Sequence, residues 1–376
     1  MSAPRRNRRD VVGILGLPFD AVTMDDAVAR VRAAIVMRRP LFVSTPNLNF
    51  VIGCQDDAAF RGSVLASDLS VADGMPVVWM SRLLGTPLPE RVTGSGLFER
   101  LRDDPLPSGH RPIRVYFYGG PPGAAAAAAT RLAARSTAMT CVGHASPGFG
   151  SVEELSDDAT IAAINDSGAD FLVVALGAAK GQAWILRNRA RLAVPVISHL
   201  GAVVNFEAGT VSRAPAWVQR TGLEWLWRIK EEPALWRRYG RDAAALARLC
   251  TQRLVPHLLW RLRHRPGRNA AGPVVWLRMR PDGCGLRIGG SIPDAVPANV
   301  DDALATCTGL TGPVELDLTE VDYFGPRFAG RLLRLGESLA RQGRTLTLHA
   351  PAGRARSLFE WSGLAAAGRT AALATP

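Results

Sequence analysis

Asp170-Phe-Leu-Val-Val-Ala-Leu-Gly177, followed by Ala178-Ala-Lys-Gly-Gln182, decides the class of the fold. An unbroken apolar run closed by glycine reads as a strand covered on both faces that hands over to a helix. The same order recurs on either side. Leu41-Phe-Val-Ser44 enters Thr45-Pro-Asn47, residues 53–65 read as helical, and Leu69-Ser-Val-Ala72 ends at Asp73-Gly74. Arg114-Val-Tyr-Phe-Tyr118 closes on Gly119-Gly-Pro-Pro-Gly123 before an alanine-rich helix, and Val194-Pro-Val-Ile-Ser-His199 ends at Leu200-Gly201. Strand, glycine and helix in repetition predict a Rossmann-like α/β core with a mostly parallel sheet. Such sheets bind ligands beyond the carboxyl ends of their strands. Thr45, Asn47, Asp73, Lys180 and His199 are therefore the first residues to consider.

Past the core the character changes. From Trp217 to Arg265 the sequence reads as helical, with tryptophans 217, 225, 227, 236 and 260 set among arginines and with Pro233 and Pro256 dividing it. The formal charge of the chain is +12. Between Arg213 and Arg268 there are 13 Lys/Arg against four Asp/Glu, a net of +9 and three quarters of the surplus. Such a block calls for an anionic neighbour: nucleic acid, anionic lipid or a phosphorylated substrate. Apolar residues beside arginines that can snorkel describe a helical hairpin lying on an interface. A Pro/Gly-rich linker follows, and then a small βα unit in which Val314, Leu316 and Leu318 alternate with polar residues. Phe328, Leu332, Leu335 and Leu339 share one helical face there, Gly343 ends that helix, and Leu346 and Leu348 open another strand. The expected division is a core over 1–212, a tail over 213–265, a linker over 266–273 and the small domain over 274–376.

Composition narrows the classes. With 47% hydrophobic residues the chain can bury a sizeable core, which excludes wholesale disorder. Its five cysteines are scattered with no Cys-x-x-Cys pair, so neither a disulfide framework nor a zinc site is expected and a reduced compartment fits best. No apolar signal core follows the N-terminal arginines, and no stretch of about 18 apolar residues occurs. The expectation is a soluble or peripheral protein. Only two of the 45 basic residues, Lys180 and Lys230, are lysine, which points to a compact ammonium being wanted there or to chance survival.

Each motif has a plain reading beside its chemical one. Asp73, at a strand end before Gly74, can take a proton from an attacking hydroxyl, or it can cap the next helix. Arg91-Val-Thr-Gly-Ser-Gly96 pairs a fork of donors with small residues that let backbone N–H groups reach a phosphate, and it can equally be a turn. Gly119-Gly-Pro-Pro-Gly123 lacks the dinucleotide spacing, and its prolines remove N–H donors. His199 on an apolar strand reads as a core histidine. The Asp-Asp pairs at 25/26, 56/57, 103/104, 157/158 and 301/302 read as caps and solvated faces, not as metal ligands.

Taken together, Thr45-Pro-Asn47, Asp73-Gly74 and Leu88-Pro-Glu-Arg-Val-Thr-Gly94 resemble the WecG/TagA/CpsF family of glycosyltransferases. So does the tail, with Arg213-Ala-Pro-Ala-Trp-Val-Gln219, Gly222-Leu-Glu-Trp-Leu-Trp-Arg228, Pro233 and Arg238-Tyr239. The resemblance covers roughly residues 11–245. It implies inverting, metal-independent transfer of a sugar, often N-acetylmannosamine, from a UDP-sugar donor to an undecaprenyl-diphosphate-linked acceptor in surface polysaccharide assembly. No cofactor and no metal are implied. Asp73 matches the family's proposed base, Thr45 and Asn47 its substrate-cleft pair, and Arg91, with Gly94 in the same block, its phosphate contact. Arg228 and Arg238 match arginines that the tail brings to the diphosphate, while a third such position falls on Leu235. The family's G-x-P-K-Q-E block is replaced by Gly177-Ala-Ala-Lys-Gly-Gln182, which keeps Lys180 but loses the Pro, the Gln and the Glu; Gln182 is carried with Lys180 as a substrate-side candidate, and donor identity stays open.

Residues 274–376 resemble a STAS domain, whose first helix usually opens on a phosphorylatable serine. Gly325-Pro-Arg-Phe328 offers no hydroxyl there, so a docking module or structural add-on for a protein partner is expected, one whose removal spares transfer. The resemblance places the protein in the cytoplasm, peripheral on an anionic membrane face. A degenerate transferase core serving as a partner-binding scaffold is the alternative. Nucleic acid is not an expected partner, because the basic block is tryptophan-rich and amphipathic and carries no nucleic-acid motif.

Overall fold

The parallel sheet forms from the strand–glycine units as the sequence requires. The computed structural model describes residues 9–106, 109–209, 215, 218, 227, 229–230, 236–264, 272–280 and 282–365. An antiparallel hairpin comes first, β1 (Val11–Ile14) and β2 (Leu17–Asp20), and then α1 (Met24–Val36). There follow β3 (Leu41–Ser44), α2 (Leu48–Asp56), α3 (Ala58–Leu65), β4 (Leu69–Ser70), α4 (Met75–Leu83) and α5 (Gly94–Asp103). Next are β5 (Ile113–Gly119), α6 (Ala124–Arg135), β6 (Met139–Ala145) and α7 (Asp158–Asp166). The core closes with β7 (Phe171–Ala175), α8 (Ala178–Asn188), β8 (Val196–His199) and α9 (Gly201–Ala208). Six strands pair in the order β4-β3-β8-β7-β5-β6, and every pairing is parallel. Val43, Val115, Phe117 and Val173 face one helical layer, while Phe42, Tyr116, Tyr118, Leu172 and Val174 face the other.

Local chemistry sets the boundaries. The single helix expected over 53–65 is two, because Asp57 is extended and its side chain accepts from Phe60 N, which ends α2 and caps α3. Asp157 caps α7 in the same way, while Asp26 sits at the third position of α1 and accepts from Thr23 N at 3.0 Å, closing a capping box with Thr23, so both pairs serve as caps, as read from the sequence.

Asp170, just before β7, is a fully buried node at the amino edge of the sheet. It accepts from Arg111 at 2.6 and 2.8 Å and from the backbone of Arg114 at 3.0 Å. Burial pushes its carboxyl up, but the hydrogen bonds from Arg111 and Arg114 outweigh this and hold it below the usual range. Asp170→Asn is therefore expected to lower unfolding free energy by about 2–3 kcal/mol, less than for a fully buried pair because the arginines keep contact with water. A depressed carboxyl stabilises above roughly pH 4, so the penalty seen in urea titrations should be present at pH 7 and shrink as the pH falls below that value.

Residues 236–264 of the tail form one long helix in three segments: α10 (Trp236–Leu249), a π-helical turn over Cys250–Leu254, and α11 (Val255–His264). Pro256 was expected to divide it and does not. Proline cannot donate to the carbonyl four residues back, and the widened turn just before it absorbs that mismatch, with Val255 N donating to Cys250 O. Pro233 and most of residues 210–235, where the first half of the expected hairpin falls, lie outside the described residues. Among the described residues no helix is long and apolar enough to cross a membrane. None of the five cysteines is in a disulfide.

The small unit contains β9 (Val274–Arg280), β10 (Gly283–Ile292), α12 (Ala298–Gly309), β11 (Val314–Asp317) and β12 (Val321–Phe324). It continues with α13 (Pro326–Arg341), β13 (Leu346–His349) and α14 (Ala355–Trp361). β10 runs parallel to β11 and β12 and antiparallel to β9, while β13 is parallel to β11. Phe328, Leu332, Leu335 and Leu339 are buried together, as their spacing predicts.

His257 of α11 is buried against Trp361 of α14, with ring centroids 6.5 Å apart, and burial with the nearby Arg261 pushes its imidazole down to about 3. It is thus neutral in the folded chain, whereas an unfolded histidine takes a proton near pH 6.5. Its stabilisation is complete above about pH 6.5 and is lost as the pH falls toward the folded value. Urea unfolding should show wild-type stability dropping between pH 7 and 4.5, with His257→Leu removing about 2 kcal/mol of that drop.

Candidate active site

Three strand ends meet at the carboxyl edge, where β4, β3 and β8 lie side by side. Val71 N donates to Ser44 O at 3.0 Å, Asp73 N to Pro46 O at 3.1 Å, and Val92 N to Ala72 O at 3.1 Å. The loop carrying Asp73 is thereby pinned between the end of β3 and the segment 91–94. The Asp73 side chain is half-buried, and its Oδ2 accepts from Gly94 N at 3.1 Å, the first amide of α5. It therefore caps a helix as well as facing the edge, though the helix is α5 and not the α4 that follows it.

Gly94 sits in close quarters. A Cβ there would come within 2.5 Å of Leu200 Cδ2 and 3.2 Å of Thr45 Oγ1, closing the gap between strand ends. Thr45 is buried beside it. Asn47 caps α2, its Oδ1 accepting from Phe50 N at 3.3 Å, and its Cβ would lie 3.9 Å from one built on Gly74. Thr45, Asn47, Asp73 and Gly94 are thus brought together, and Arg91 lies on the same strand-end segment, half-buried.

Lys180 and Gln182 divide. Lys180 is exposed on α8 and donates to Gly150 O at 2.7 Å, tying down the loop before α7. Gln182 is fully buried beneath Ser44, whose hydroxyl donates to its Oε1 at 3.1 Å, and its Nε2 has no protein partner. Its position supports the end of β3 from below. His199 Nε2 is likewise buried without a partner, and burial pushes the imidazole down to about 4, so the ring is neutral at physiological pH. Arg228 and the side chain of Arg238 lie outside the described residues, although the backbone of Arg238 belongs to α10.

A cleft of about 560 Å3 opens between α2, α8 and α10, lined by Asn49, Ile52, Ala178, Ala179, Arg241 and Asp242. First-turn residues of α2 and α8 border it. α8 begins at Gly177 with no side-chain cap, so its first amides keep their hydrogen-bonding capacity for an anion. Arg241 adds a guanidinium from α10. It was not singled out from the sequence, although it stands three residues after Arg238, one helical turn along the same face. The cleft thus sets the uncapped start of α8 and the Arg241 guanidinium around one space, with the Asp242 carboxylate on the same lining.

Known proteins bear on that arrangement. Residues 12–258 match the model of the "Glycosyl transferase WecG/TagA/CpsF family", and residues 276–372 match "Mlab, STAS domain". A protein of Bacillus spizizenii strain W23 is 29% identical over 197 residues, 52% of this chain and 74% of that one. A protein of Staphylococcus aureus strain MW2 is 26% identical over 244 residues, 64% of this chain and 91% of its own length. Both are named N-acetylglucosaminyldiphosphoundecaprenol N-acetyl-beta-D-mannosaminyltransferase.

Proposed function

Because this chain belongs to the WecG/TagA/CpsF family of glycosyltransferases, with a STAS domain behind it, we propose that it moves an N-acetylmannosamine-like sugar from a UDP-sugar to a polyprenyl-diphosphate-linked acceptor, with inversion and without a metal. The observation that carries this reading is that Thr45, Asp73 and Gly94 converge at the carboxyl edge of the sheet, with Asp73 Oδ2 accepting from Gly94 N at 3.1 Å and Thr45 packed against Gly94. Asp73 takes the proton of the acceptor hydroxyl as its oxygen bonds to the anomeric carbon. The bond from that carbon to the phosphate oxygen breaks, and the electron pair leaves with UDP. Arg91, Arg228, Arg238 and Arg241, with the amides of α8, stabilise the growing charge. Thr45 and Asn47 shape the sugar side, while Gln182 and Lys180 hold the elements around it.

The charge that a metal would supply comes here from arginines and helix amides, so transfer should persist in EDTA. Loss of activity in EDTA with rescue by magnesium or manganese would contradict this part of the reading.

Supporting a membrane location, α11 leaves Val255, Leu259 and Leu262 exposed, α10 leaves Trp236 exposed, and arginines flank both. Tryptophan favours the headgroup region, and each arginine near an anionic surface adds about 1 kcal/mol. The full chain should sediment with anionic vesicles and be released at high salt, because surface attraction is screened within about 10 Å at 0.1 M. Vesicle binding insensitive to both salt and lipid charge would remove the electrostatic contribution.

A further inference from the structure

Helix α13 packs its apolar face into the small unit and presents the opposite side to the transferase. A Cβ on Gly13 of β1 would come within 2.8 Å of Gly330 N, and one on Gly330 within 2.4 Å of Val11 O. The two backbones touch in a way that only glycine allows. Arginines of α13 fan out around this contact. Arg327 pairs with Asp10 at 2.9 Å, Arg331 donates to Arg9 O, Arg334 donates to Leu65 O at 3.2 Å and Ser67 O at 2.6 Å, and Arg341 pairs with Asp68 at 2.6 Å and donates to Ala66 O. Residues 65–67 end α3, where carbonyls lack helical partners and a cation meets the negative end of the helix. Leu65 itself is buried in the small unit's core. The hairpin lies between two layers: Val12, Ile14 and Phe19 pack with Phe50, Val51 and Val77, and α13 covers β1 from the other side.

From this contact a line of hydrogen bonds leads to the site. Arg9, whose carbonyl Arg331 holds, donates to Asp20 at 2.6 Å, and buried Asp20 accepts from Ser70 N at 2.8 Å. Ser70 ends β4, three residues before Asp73. We infer that the C-terminal unit is an intramolecular clamp: the face of α13 fits the transferase's own hairpin and the end of α3, and through Asp20 and β4 it positions the Asp73 loop. The expectation that residues 274–376 can be removed without cost to transfer is revised accordingly, since their loss would bare one side of β1 and uncap α3. An outside partner is left other surfaces, such as edge strand β9, where Trp276 and Met279 are exposed.

The transfer arm of the test rests on the proposed activity; the exchange arm does not. In the full chain, Gly330→Leu and, separately, Arg334→Ala with Arg341→Ala are compared with wild type by amide hydrogen exchange over 11–20 and 65–73, with β10 and β11 as internal reference. Breaking charge-assisted bonds to buried carbonyls should cut protection about tenfold or more over 11–20 and 65–73 while the reference strands hold theirs. Transfer by the arginine variant should fall at least about threefold in kcat with little change in donor KM, as for a displaced base. Met279→Gln on β9 should change neither. Hairpin protection unchanged in both variants would overturn the clamp. A deprotected hairpin with transfer at full rate would overturn its link to Asp73.

Discussion

Asp73→Asn is expected to lower transfer by about two to four orders of magnitude, the range for loss of a positioned general base. The substitution keeps shape and volume. The amide oxygen can still accept from Gly94 N, so the cap on α5 and the loop pinned by Pro46 and Ala72 should survive. What disappears is the capacity to take a proton. Circular dichroism and thermal unfolding should therefore match wild type while kcat collapses. Donor KM should barely move, because a base acts in the transition state and not in ground-state binding. Near-normal turnover on the true acceptor would remove Asp73 from the mechanism and return it to the plain role of a helix cap.

Second in size is the loss expected from Arg228→Ala or from Arg238→Ala, each taken singly. Each guanidinium is proposed to meet the diphosphate, whose charge grows as UDP departs, and removing one such donor costs about two to three orders of magnitude in comparable sites. Vesicle binding should weaken only a little, since many arginines share the anchoring and each adds about 1 kcal/mol. The contrast between the two readouts is the test. Equal losses in transfer and in vesicle binding would make these arginines part of the anchor alone. Arg241→Ala should fall between, because Arg241 lines the cleft from the next turn of the same helix.

How far the sequence carried the reading differs from place to place. The central strands were legible because both their faces are covered, so Leu41–Ser44 and Phe171–Ala175 appear as apolar runs ended by polar or glycine signals. Helix α13 was legible from four leucine and phenylalanine positions at helical spacing. The β1–β2 hairpin was not read as an element at all. Its turn places Leu15 and Gly16 at φ +50° and +83°, where Asn-Gly is the usual signature, and Leu15 gives no such cue. Edge strand β6 carries Cys141, Gly143 and His144 and lacks a buried alternation. At the candidate site, the strand-end rule picked out Asp73, Thr45 and Asn47, since ends of parallel strands converge whatever the side chains do. Sequence position alone could not separate exposed Lys180 from buried Gln182 two residues on, because that depends on how α8 rolls against β3. Nor could it reveal that α13 presents its arginines to the transferase, a pairing between residues some three hundred positions apart.

The central claim is transfer from a UDP-sugar to a lipid diphosphate, and one measurement bears on it directly. Full-length protein is incubated with UDP-N-acetylmannosamine, and in parallel with other UDP-sugars, together with a polyprenyl-diphosphate-linked N-acetylglucosamine, while UDP release and the mass of the lipid product are followed. The account predicts UDP release that requires the acceptor, matched mole for mole by a lipid carrying one more sugar, with at least one UDP-sugar of the N-acetylhexosamine kind. If no UDP-sugar gave acceptor-dependent release, while the same preparation was folded and bound anionic vesicles, the account would be contradicted and the chain would stand as a transferase fold without transferase chemistry.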